Sequence, residues 1–208
     1  VSLLVLGFIG TFKMRISGSL IEDMPKKAAF YDDIVFFEKE FDGVMPIEIM
    51  IDTKRKKGVM KLTTLKRMDE LQETIDSIPE LSQPISIVNL VKYSKQAYYN
   101  NNPEYYSLPT TQEQTFILSY AKNSVKNSKE NIMKSYVDET GQYARITTFI
   151  KDDGINNIDS IQGKLRAKID EVFPKEKYSV SITGKALVFQ KGTKYLLENL
   201  VESLILSV

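Results

Sequence analysis

The sequence predicts an α+β fold, one small sheet covered by helices, and three observations carry that prediction. Residues 44–52 set Ile47, Ile49 and Ile51 against Glu48, Met50 and Asp52, the period-2 alternation of a strand with one buried face. Tyr178 to Gly184 repeats the alternation near the other end of the chain. Between them, apolar residues return every three or four positions, which is the spacing of helices.

Composition narrows the chemistry before any motif does. The 208 residues are enough for one large or two small domains with an ample core. Lys and Arg number 28 and Asp and Glu 27, so no global field favours nucleic acid. The chain has no His and no Cys, which removes Ser-His-Asp and Cys-His nucleophiles and the usual zinc sites. Only carboxylate, Lys or Tyr chemistry is left.

In chain order, Val1 to Gly10 is apolar almost without interruption, yet a spanning helix needs about 20 such residues. Leu196 to Val208 also grows more apolar toward its end. The pair suggests a loop between two membrane spans, with residues 1–10 the outer end of one transmembrane helix and residues 185–208 leading into the next. Residues 11–42 then form a connector holding a short amphipathic helix, with Phe30, Ile34, Phe37 and Phe41 expected in the core and Gly43 as its stop. Pro46 stands at the start of the first strand, where its missing N–H costs least. The basic run Lys54-Arg55-Lys56-Lys57 reads as a solvated turn, or as a contact for phosphate or a lipid headgroup. A stripe of Leu62, Leu65, Met68, Leu71, Ile75 and Ile78 makes a helix that Pro79 stops.

Pro84 to Val88 is expected to be a brief strand turning into a helix capped by Ser86. Residues of about 88–125 form an insertion rich in tyrosine. Tyr93, Tyr98, Tyr99, Tyr105 and Tyr106 either line a substrate path of mixed polarity or pack the insertion down on itself. Thr111 with Gln114 fits a capping box for a following helix. Ile132–Asp138 and Tyr143–Lys151 read as the arms of a hairpin. Asp152-Asp153-Gly154 breaks the chain without the ligand spacing of an EF-hand, so no metal site is expected. Asn156 or Asn157 caps a helix that turns Ile158, Ile161, Leu165, Ile169 and Val172 inward. Without the insertion, the order strand, helix, strand, strand, helix, strand is the split βαβ, ferredoxin-like arrangement, within a domain spanning 43–184.

These patterns resemble the extracytoplasmic loop of resistance-nodulation-division (RND) transporters of the MMPL and patched-like exporter branch. The residues that carry the likeness are Glu22-Asp23-Met24-Pro25-Lys26, Phe41 to Thr53, the Leu62-to-Ile78 helix with Ile85-Ser86-Ile87-Val88, and Val180 to Leu187. The resemblance covers nearly the whole chain and implies a periplasmic porter domain attached to the inner membrane. Such a domain passes hydrophobic or amphiphilic small molecules, lipids or drugs, in a proton-driven exporter. The implied partners are the rest of the transporter chain and further copies in a homo-oligomer, with no nucleic acid. No cofactor, catalytic residue or metal ligand is implied. Lys13 and Arg15 depart from the pattern, since basic residues beside a span favour the cytoplasmic side. Two other readings compete: the sensor or ligand-binding domain of a two-span receptor, and a hydrolase using Asp32, Asp33, Asp152 or Asp153.

Overall fold

The structure, a computed structural model, describes Ile21 and residues 24–126, 132–152 and 157–207. It is an α+β fold. In chain order it contains α1 (Tyr31–Glu40), β1 (Met45–Asp52), α2 (Leu62–Asp76), α3 (Ile87–Tyr98) and α4 (Gln114–Lys126). Then follow β2 (Tyr143–Ile150), α5 (Ile158–Val172), β3 (Ser179–Thr183) and α6 (Lys185–Ser207). Short 3-10 turns cover Pro103–Tyr105 and Ile132–Ser135.

β1 is the central strand of a three-stranded sheet ordered β2-β1-β3, antiparallel to both neighbours. Its alternation places Met45, Ile47, Ile49 and Ile51 in the core together with Ala144, Ile146 and Ile150 of β2. α2 and α5 cover this face. α2 buries Leu65, Met68, Leu71 and Ile75, and α5 buries all five residues expected to turn inward. Lys168 of α5 binds Glu70 of α2 at 2.7 Å, which ties the two helices at their outer edge. The opposite face stays open, with Met50 exposed and Glu48 paired to Arg145 at 3.4 Å.

The brief strand expected at 84–88 is only a pair of isolated bridges, Leu81 to Ile150 and Ile85 to Thr147, along the outer edge of β2. The Ser82 and Ile85 amides, three residues apart, donate to the Phe149 and Thr147 carbonyls, two apart, so one extra residue interrupts the ladder. The Ser82 hydroxyl takes over part of the pairing, accepting from the Phe149 amide at 2.9 Å. Ser86 caps α3 as the sequence suggests: its hydroxyl accepts from the Val88 amide at 3.0 Å, and Asn89 accepts from the Ser86 amide at 2.9 Å. The first arm of the expected hairpin is also not a strand. Ile132–Ser135 is a 3-10 turn, and only Val137 bridges to Ala144. The edge of β2 it would need is already shared with residues 81–85. The second capping box forms one residue early, between Thr110 and Glu113, through amide contacts at 2.8 and 3.3 Å. Asn157 occupies the N-cap of α5 without a side-chain bond, while Asp153 and Asn156 lie outside the described residues.

α1 differs most from expectation. None of its residues is buried, and Phe30, Phe37 and Phe41, expected in the core, are each more than half exposed. Residues 1–10 lie outside the described set. α6 buries Ala186 and Leu187 and then runs outward with Val188, Leu196 and Leu206 exposed. Among the described residues no helix is long and apolar enough to cross a membrane.

Two glycines fix how the flanking helices join the sheet. Gly43 has φ +129°, and a Cβ on it would stand 2.5 Å from the Ile150 carbonyl oxygen. Gly184 has φ +126°, and its Cβ would stand 2.4 Å from the Pro46 carbonyl oxygen. Since Met45 pairs with Ile150 and Glu48 with Thr183, α1 enters and α6 leaves at the same end of the sheet. Gly184→Ala combines a backbone outlier with a steric clash, so urea unfolding should show a loss of about 2 kcal/mol or more. Ile49→Ala at the centre of the core should cost about 2–5 kcal/mol in the same assay.

Candidate functional site

The five tyrosines singled out in the sequence divide into two groups. Tyr99 stacks on Tyr105 with centroids 4.2 Å apart, and Tyr98 meets Tyr99 edge-on at 5.3 Å. Tyr93 and Tyr106 form a separate pair at 4.7 Å. The turn that folds the first group together uses Asn100 and Asn101 at φ 58° and 60°, a region that asparagine tolerates better than most residues. Asn102 then accepts from the Glu104 amide at 3.1 Å and starts the 3-10 turn that carries Tyr105.

Beneath the first group lies a polar lock. Lys95 of α3 reaches Glu113 at 3.0 Å, with side-chain exposures of only 8% and 16%. The lysine also donates to Ser107 Oγ and to the Leu108 carbonyl, both at 3.3 Å. Tyr99 donates its hydroxyl to Glu113 Oε1 at 2.8 Å. The Thr110 amide, with further bonds from Lys95 and Tyr99, holds the Glu113 carboxyl down at about 2 against the opposing effect of burial. The same hydrogen bond to Glu113, assisted by burial, raises the Tyr99 pKa. Tyr99 is therefore a structural pin within the insertion.

The surface above the lock is different. Tyr98 packs against Phe116 at 5.2 Å and Tyr120 at 5.7 Å, both from α4, and all three are exposed. Phe116 and Tyr120 thus join the candidate ledge. Their four-residue spacing on one helix face was visible in the sequence, but their proximity to Tyr98 depends on how α3 and α4 pack.

Among the described residues, three of the surface pockets bear on this frame. One of about 400 Å³ is walled by Met60, Leu118, Met133 and Val137, with Lys57 and Glu139 among its polar lining, and its size falls within the range of small-molecule sites. Methionines suit such a wall because they adapt to irregular apolar shapes. Its floor is held by Asp138: burial pushes the carboxyl up, but bonds from Thr140, Tyr143 and Gln142 outweigh it and leave the pKa lowered. A second pocket, about 180 Å³ and mostly polar, lies beside Tyr106, Asn89 and Lys92. The third, about 240 Å³, has Arg55, Lys61 and Lys177 on its walls and no carboxylate. Lys92 sits 5.8 Å from the Tyr106 ring centroid and 2.6 Å from Asp69.

Of the carboxylates considered for hydrolysis, Asp153 lies outside the described residues. Asp32 and Asp33 occupy the first turn of α1, and Asp152 follows β2 with its amide donating to Glu38 at 2.6 Å. Among the described residues no cluster of three or more potential ligands could hold a metal ion. No protein-family model and no curated protein matches the chain.

Glu113→Gln should break the lock, leaving Lys95 without its anion at a cost of about 1.5–3 kcal/mol at neutral pH. The folded pKa lies below the unfolded one, so the carboxylate's contribution is present above the ordinary Glu range and is lost as pH falls toward 2. Urea titrations of the two proteins from pH 7 to pH 2 should converge over that interval.

Proposed function

We propose that the chain is the periplasmic loop of a proton-driven RND-type exporter, passing hydrophobic or amphiphilic molecules, lipids or drugs, without covalent chemistry. The observation that carries this reading is the connection of the sheet. β1, α2, the bridged segment 81–85, β2, α5 and β3 follow the order of a split βαβ unit. In space the segment 81–85 lies outside β2, then come β1 and β3, an order that supports the ferredoxin-like arrangement the resemblance implies. Both flanking helices leave from one end of that sheet, as a loop inserted between two membrane spans requires.

In this role the insertion supplies contact surface. Tyr98, Phe116 and Tyr120 offer flat apolar faces with polar tips, and the pocket of Met60 and Met133 accepts an apolar group. Neither needs a nucleophile, which agrees with a chain lacking His and Cys. Driving energy would enter through membrane helices outside this chain, and the domain would respond by shifting its packing against neighbouring domains of the transporter.

Detecting the native polypeptide in fractionated cells tests the reading directly. A membrane-embedded species several times heavier than 23.8 kDa is expected, and a soluble species near 23.8 kDa would sink it. Within the transporter, replacing Tyr98 and Tyr120 together by Ala should lower export of an amphiphilic dye and leave the unfolding midpoint of the loop nearly unchanged. Unaltered export would remove the ledge from the substrate path.

A further inference from the structure

We infer that α1 is an interfacial foot, a helix that lays its aromatic ridge into the surface of a lipid bilayer. This inference rests on the membrane-loop reading and adds to it a specific lipid-contacting element. Phe30, Phe37 and Phe41 are spaced by seven and four residues and so fall along one line of the helix. Tyr31, Ile34 and Glu38 face the fold and are half-buried, whereas Phe30, Phe36, Phe37 and Phe41 are all more than half exposed. Phe37 and Phe41 stack at 5.1 Å, and Phe36 meets both edge-on at 5.9 and 6.4 Å. The result is a continuous aromatic surface that no other described residue covers, on a helix none of whose residues is buried. An exposed patch of this kind marks a contact with another apolar phase.

The placement of α1 identifies that phase. The Ile21 amide donates to Asp152 Oδ1 at 3.4 Å, and the Asp152 amide donates to Glu38 Oε1 of α1 at 2.6 Å. Ile21, the first described residue, therefore lies close to α1. α6 departs from the same end of the sheet, at Gly184 against Pro46, and carries exposed Leu196, Leu200, Val201 and Leu206. Two helices with exposed apolar faces, α1 and α6, thus belong to one end of the molecule. The other end holds the basic turn and the pocket of Arg55, Lys61 and Lys177. A bilayer on the apolar end accommodates both at once.

The charges of α1 specify the lipid. Asp32, Asp33 and Glu40 are exposed, as are Lys39 and the preceding Lys26 and Lys27, so the exposed charges balance and offer no net attraction to anionic headgroups. Contact would be driven by aromatic burial into a zwitterionic interface and would be insensitive to salt.

The chain has no tryptophan, so Phe37→Trp in the full 208-residue protein gives a single fluorescent reporter on the ridge. With phosphatidylcholine vesicles its emission should move to the blue and be quenched by chain-brominated lipid, equally at low and high salt. Tyr93→Trp, on the insertion, should show neither change. Replacing Phe36, Phe37 and Phe41 together by Ser should weaken vesicle binding by about a hundredfold, from the apolar burial lost, without lowering the unfolding midpoint. If the protein sediments with vesicles while the Phe37→Trp emission stays that of water, the foot is overturned and the membrane-loop reading stands. If the protein does not sediment with vesicles and the native polypeptide fractionates as a soluble species, both fall. A blue emission without vesicles also overturns the foot: growing with protein concentration, it assigns the ridge to a second copy, and independent of concentration, to the chain's own first residues.

Discussion

The whole molecule depends on β1 having a partner on each side and a core on only one face. Side chains alternate with period two, so a slip of one residue would exchange Ile47, Ile49 and Ile51 for Glu48, Met50 and Asp52 in the core. That penalty fixes the register with β2 and β3, and the register fixes everything attached to the strand ends. Pro46 shows how finely this is arranged. Proline is rare in central strands, but here β3 pairs only from Glu48 onward, so Pro46 has β2 alone beside it. The space left next to Pro46 is where Gly184 passes, close enough that no side chain would fit.

Much of this frame was legible in the sequence because its signals are local. The stripes of α2 and α5 follow from spacing alone, and Ser86 with Asn89 is a cap written within four residues. What escaped depended on competition between distant segments. Residues 132–138 have strand-like composition, but the edge of β2 they would pair with is partly taken by residues 81–85. The Thr111 and Thr110 boxes both fit the text of the sequence, and Glu113 decides for Thr110 because it also answers Lys95 and Tyr99. The phenylalanines of α1 have amphipathic spacing, which reports a shared face and is silent on what that face meets.

The tyrosines illustrate the same limit at the candidate site. Of the two outcomes anticipated for them, Tyr99 shows packing within the insertion, while Tyr98 has an exposed ring. Tyr99 is held from below by a lysine and a carboxylate that are nearly removed from solvent, an arrangement whose value lies in specifying one packing of α3 on α4. Tyr98 lies only one residue away yet presents its ring outward with Phe116 and Tyr120. Sequence position separates these roles poorly, because adjacent residues on a helix point about 100° apart and the partner helix is 15 or more residues downstream. The lock is what keeps the ledge in shape.

On the exporter reading, the arrangement of the two ends has a mechanical consequence. An eight-residue strand spans about 26 Å, so the sheet separates the apolar end from the basic turn by most of the length of the domain. α1 and α6 are joined to that sheet through Gly43 and Gly184, each pressed against a backbone carbonyl at a distance that leaves no slack. A displacement of the flanking helices would therefore be passed to the sheet as rotation of a rigid body, since a packed core resists continuous deformation. The insertion rides on the edge of β2 through α3 and the bridges at Leu81 and Ile85, so it would be carried along with that rotation. Movement at the membrane end would then reappear as displacement of the tyrosine ledge, with no hinge required within the sheet.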